Sequence, residues 1–162
     1  MGVDLKETRE ILNDLVKTLR DDQEGFRDAA EHVKDNDLKI MFMAFSTERA
    51  RFLGEIQNEV ERLGNPDPAD SGTVTGKLRR GWMNLKAALA SNRDEAIIEE
   101  CEKSEDAAIE RYGKVLTHEL PRYIRELLET QLEQIGRERE QIAQLKVHAL
   151  TPGGDSGSSP CG

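Results

Sequence analysis

Leu5, Leu12, Leu19, Phe26 and Val33 recur every seven residues, with Leu15 and Ala29 between them, and this spacing lines one face of a long helix over the first 34 residues. Asp4 with Glu7 supplies a capping-box start. Lys34-Asp35-Asn36-Asp37 interrupts the pattern with side chains that favour turns and caps. A second helix is expected from Asp37 to about Leu63, with Leu38, Met41, Phe45, Phe52, Ile56, Val60 and Leu63 inward and Gly64 as its stop. Each helix would be roughly 40 Å long at ~1.5 Å per residue, and the short turn requires an antiparallel hairpin.

Residues 64–72 carry two prolines and cannot continue a helix. Beyond them Leu78, Trp82, Leu85 and Leu89 predict a shorter amphipathic helix of about five turns, long enough at about 27 Å to carry the chain back along a bundle. Asn92 and Glu95 suggest a further capping box, opening a helix whose stripe is Ile97, Cys101, Glu105, Ala108, Tyr112 and Val115. Leu120-Pro121 breaks it. The last helix runs from Pro121 to about Ala149 with Ile124, Leu128, Gln131, Ile135, Glu138, Ile142 and Leu145 inward. The order long, long, short, long, long predicts an all-α, ferritin-like four-helix bundle over residues 1–150, its short helix crossing between two hairpins. An up-down bundle with a fifth helix docked outside is the alternative. Residues 151–162, rich in Gly, Ser and Pro, are expected to be a disordered tail.

Composition narrows what such a bundle does. The formal charge of −9 disfavours nucleic acid and anionic membrane as partners. No run approaches the ~20 apolar residues of a membrane span, and the polar start shows no signal peptide, so the expected location is the cytoplasm. Cys101, within a helix, and Cys161, in the tail, lack metal-ligand spacing. Trp82 is expected to anchor the crossover.

Several polar residues interrupt the apolar stripes. With the stripe centred on Phe52, Glu48 lies about 40° off centre at ~100° per residue, and Glu105 lies about as far from Cys101. Asp22, Gln131 and Glu138 fall in the apolar sectors of their helices, whereas Glu24 projects outward. Asp22 lies 13 residues before Asp35 and Glu48 lies 13 after it, which sets them at matching heights. A polar layer across mid-core is expected, with two readings.

One is a carboxylate-bridged pair of iron or manganese ions held by Glu48, Glu105, Glu138 and Asp22, as in an oxidase or peroxide-handling enzyme. That chemistry needs Glu-x-x-His on two helices, and neither Glu48, Glu105 nor Glu138 is followed by such a histidine. His32, His118 and His148 sit near helix ends. The preferred reading is a buried network of Glu48, Arg49, Arg51, Glu105, Gln131 and Glu138, because an arginine neutralises a carboxylate and offers no lone pair to a metal. It implies no catalytic residue and no cofactor.

Glu24-Gly25-Phe26-Arg27-Asp28-Ala29-Ala30-Glu31, Gly81-Trp82-Met83-Asn84-Leu85-Lys86-Ala87-Ala88-Leu89 and Cys101-Glu102-Lys103-Ser104-Glu105-Asp106-Ala107-Ala108 resemble an uncharacterised bacterial family of ferritin-like four-helix bundles, catalogued as a domain of unknown function. The similarity spans roughly residues 5–147. It implies a ferritin-like fold and kinship with rubrerythrins and ferritins, and no established reaction. The expected function is a non-catalytic, stress-associated scaffold that acts through a homodimer or a protein partner. A small-molecule or lipid carrier is a weaker alternative.

Overall fold

In the computed structural model, residues 3–64 and 80–149 are described, the side chains of residues 80 and 146–149 excepted. They form α1 (Leu5–His32), α2 (Asn36–Arg62), a 3-10 turn (Arg80–Trp82), α3 (Leu85–Ala90), α4 (Asp94–Val115) and α5 (Arg122–Ala149). The described residues contain no strand.

Local chemistry sets the ends of the first hairpin. The Asp4 carboxylate accepts the Lys6 and Glu7 N–H groups and starts α1. Asp35 accepts Leu38 N–H and starts α2. Gly64, at φ 89°, ends it in the left-handed region that suits glycine. Arg9 of α1 donates to the Leu63 carbonyl at the foot of α2, so α1 and α2 are antiparallel.

The second hairpin is placed by contacts at both ends. Asp94, the first residue of α4, accepts the Lys34 and Asp35 N–H groups of the α1–α2 turn at 2.9 and 3.1 Å. His118, after α4, lies 3.6 Å from Glu7 near the start of α1. Hence α2 and α4 run in the same direction, and the chain must travel the length of the bundle between them.

The capping box expected at Asn92 is absent: Asn92 adopts φ 61°, Arg93 is the cap, and Asp94 reaches across to the first hairpin instead. The five-turn crossover helix is also corrected over its described part, which is one 3-10 turn and a six-residue helix. Leu78 lies outside the described residues, as do the tail and Cys161. Together the turn and the short helix form a wedge, residues 80–90, whose Trp82 turns into the bundle. An added Cβ on Gly25 of α1 would sit 2.5 Å from the Trp82 ring, so only glycine permits this approach. Ser104 of α4 donates to the Gly81 carbonyl, and Glu100 accepts Asn84 N–H at 2.9 Å, fixing the wedge from the other side.

The core has two parts. One half holds aliphatic side chains, including Leu12, Leu15, Leu19, Ile56, Ile124 and Leu128, with Tyr112 and Phe52. The other is aromatic: Phe26, Phe42, Phe45 and Trp82 pack together, with Trp82 edge-on to Phe26 at 5.0 Å. Phe42 is fully buried although the inward set read from the periodicity leaves it out, whereas Leu5, assigned to the first stripe, is exposed. Between the two halves lies a layer of charge.

Candidate functional site: a buried arginine and its carboxylates

Each of the four long helices contributes a charged side chain to this layer. Arg49 of α2 is fully buried and stands at its centre. Its Nη2 donates to Glu105 of α4, its Nη1 donates to Glu138 of α5 at 3.0 Å, and its Nε lies 3.7 Å from Asp22 of α1. The guanidinium also lies 5.1 Å from the centre of the Phe26 ring, whose face favours a cation. Asp22 extends the network by accepting Trp82 Nε1–H at 2.8 Å and facing Arg111 of α4 at 4.0 Å. Thus the residue that anchors the wedge is tied directly to the charged layer.

The electrostatics follow from burial. The Glu105 carboxyl is pushed up to about 8, chiefly because burial disfavours its charge; Arg49 pulls the other way, while Glu138 and Asp22 add repulsion. Glu138 is raised as well, again by burial first, with Arg49 opposing. Both carboxyls therefore hold a proton more readily than exposed ones do. Burial would lower the Arg49 pKa, yet Glu105, Asp22 and Glu138 more than offset it and hold the guanidinium charged.

A second network adjoins it. Tyr112 O–H donates to Gln131 Oε1 at 2.7 Å, and Gln131 Nε2 donates to Glu55 Oε1 at 2.9 Å and to the Phe52 carbonyl at 3.4 Å. Burial raises the Tyr112 pKa, which keeps the phenol a donor.

Asp22, Arg49, Glu105 and Glu138 are therefore brought together, with Gln131 beside them on its own partners. Glu48 and Arg51 are not. Glu48 is half-buried at the rim of α2, where it pairs with Arg51, whose side chain is 56% exposed and also meets Glu55. The reason is angular. Phe42, Arg49, Leu53, Ile56 and Val60 are all buried, which moves the centre of the α2 stripe away from Glu48 and toward Arg49. Arg111, Tyr112 O–H and Glu55 are members of these networks that the stripes did not reveal. Only the inward place of Tyr112 was visible in the pattern.

This set does not fit a pair of metal ions. Its carboxylates turn to the Arg49 guanidinium, and among the described residues no imidazole joins them and no group of three or more His, Cys, Asp or Glu side chains is arranged to hold a metal. His32 and His118 are exposed at helix ends. Cys101 is buried beside Glu105, and burial raises its thiol well above the ordinary range, so it stays protonated. No described helix is long and apolar enough to cross a membrane.

The chain matches no curated protein. Residues 7–118 match the family described as a domain of unknown function, DUF2383, a span that includes Asp22, Arg49, Trp82 and Glu105 and stops before Glu138. Since this match covers more than half of the sequence, the chain belongs to that family.

Proposed function

We propose that this protein is a ferritin-like bundle that works in the cytoplasm as a scaffold or interaction protein, with a guanidinium in the place where related bundles hold metal. The observation that carries the reading is Arg49, fully buried and facing one carboxylate from each of the other three long helices. A fixed internal cation neutralises the ligand set, and its position excludes a second cation by repulsion. The parallel direction of α2 and α4, with one long crossover between them, supports the ferritin-like assignment.

The competing carboxylate-bridged iron or manganese enzyme would need Arg49 to give up its three carboxylates to the metal ions, which leaves a buried guanidinium without a partner beside other cations and is costly. A carrier role has a groove of about 320 Å³ between α2 and α5 to draw on, lined by Phe52, Tyr123 and Leu127 but also by Arg51, Glu55 and Arg137. Its charged rim suits solvent better than a lipid.

Bound metal, measured by mass spectrometry on protein purified after growth with iron or manganese, tests the proposal. Metal far below one ion per chain, with no change in melting temperature on adding Fe(II) or Mn(II), is the expected result. Near-stoichiometric metal that disappears in Glu105→Gln would overturn it.

A further inference from the structure

The outward faces of α1, α4 and α5 carry charge at nearly every turn. Glu10, Asp14, Glu24 and Glu31 are exposed on α1, Glu99, Lys103, Asp106 and Glu110 on α4, and Glu126, Glu129, Glu133 and Glu140 on α5. The outward face of α2 differs. Between Asp37 and Glu48 its exposed residues are Ile40, Met43, Ala44 and Thr47, with Ile40 at 69% and Met43 at 40% exposure. The spacing 37, 40, 44, 47, 51 alternates three and four residues, the seam of a helix that packs against another helix. Within the monomer this seam faces solvent.

We propose that this face of α2 is a two-fold interface between copies of the chain, with the two α2 helices antiparallel and crossing at Ala44. The inference deepens the scaffold reading, and rests on it for its purpose, by naming a second copy as the partner. Charge argues for that occupant. Each chain carries −9, so two copies repel wherever acidic faces meet, and the uncharged seam is where the repulsion is least. A two-fold axis at Ala44 sets residues seven positions before it opposite those seven positions after it, which places Asp37 of each copy opposite Arg51 of its partner. Arg51, held on its own helix by Glu48 and Glu55, thus gains Asp37 of the other copy as a third carboxylate, and two such contacts bracket the seam, about 21 Å apart at ~1.5 Å per residue. Ala44 lets the backbones approach, and Ile40 and Met43 leave water. A contact along a few turns of one helix is at the small end of stable interfaces, so the dimer is reversible.

Sedimentation equilibrium on the full-length protein at up to ~100 µM tests this, because a small interface is populated in that range. The expected result is a monomer–dimer equilibrium that Ile40→Glu with Met43→Glu weakens at least about 100-fold, since the new acids at 43 would meet one residue either side of the axis and each new acid at 40 would face Glu48 of the other copy. Both positions are already exposed, and circular dichroism confirms that the variant stays folded. Asp37→Arg and Arg51→Asp should each weaken the dimer, and their combination should restore it. Ala44→Cys, in a Cys161→Ser background, should form a covalent dimer on oxidation. A monomer throughout this range, a higher oligomer, or a dimer indifferent to the Ile40/Met43 change would overturn the proposal. None of these outcomes bears on metal content, so the two readings fail separately.

Discussion

Two arginines on α2, two positions apart, show opposite uses of the same side chain. Arg49 is fully buried, faces three carboxylates on three other helices and lies over Phe26. Arg51 is mostly exposed, pairs with Glu48 and Glu55 on its own helix and lies over Phe52. Both have carboxylate partners and an aromatic face. They differ in what happens when the arginine is removed: around Arg51 water takes its place, whereas around Arg49 nothing does. Position in the fold, rather than number of ion pairs, makes one of them structural.

Replacing the interior arginine gives the largest expected effect. Arg49→Met keeps much of the side-chain volume but strands the carboxylates of Asp22, Glu105 and Glu138, and should cost ~3–5 kcal/mol in urea denaturation. A change of no more than a surface pair would show that water reaches the layer and that the two arginines are equivalent.

The raised Glu105 carboxyl sharpens the contrast through pH. A carboxyl whose pKa rises from 4.5 to about 8 on folding holds its proton more tightly in the folded chain than in the unfolded one. Its contribution is fully present below about 4.5 and is lost as pH climbs toward about 8. Over that window the native protein should lose stability, while Glu105→Gln, neutral at every pH, should show a flatter profile. Parallel profiles for the two proteins would remove Glu105 as the group that holds the proton.

The smallest effect is expected outside. Arg51→Ala should lower stability by about 0.5 kcal/mol or less, because exposed ion pairs are screened and compete with water. A loss comparable to that of Arg49→Met would end the distinction between the two sites. The same variant in a dimer assay reads a different property, the pairing with Asp37 across the proposed axis.

Much of the bundle was legible in the chain. The long apolar stripes placed α1, α2, α4 and α5, Asp4 and Gly64 marked two of their ends, and polar interruptions of those stripes singled out Asp22, Glu105, Gln131 and Glu138. The wedge was not legible, since Leu78, Trp82, Leu85 and Leu89 have helical spacing whether or not the chain stays helical between them. What bends it is Trp82 seeking Asp22 across a glycine, a contact between residues 60 positions apart. Asn92 misled for a similar reason, as the Asp94 carboxylate that follows it serves the backbone of another hairpin.

The sequence by itself determined that the chain is helical, where its four long helices lie and that carboxylates interrupt their buried faces, because periodicity, caps and turn residues act within one or two helical turns. Only the tertiary structure decided that Arg49 enters the core while Glu48 and Arg51 stay at its edge. A helical wheel gives relative angles along one helix, but the direction that counts as inward is set by the helices packed around it. Here those neighbours present three carboxylates, and the side chain that turns toward them is the one that can neutralise them.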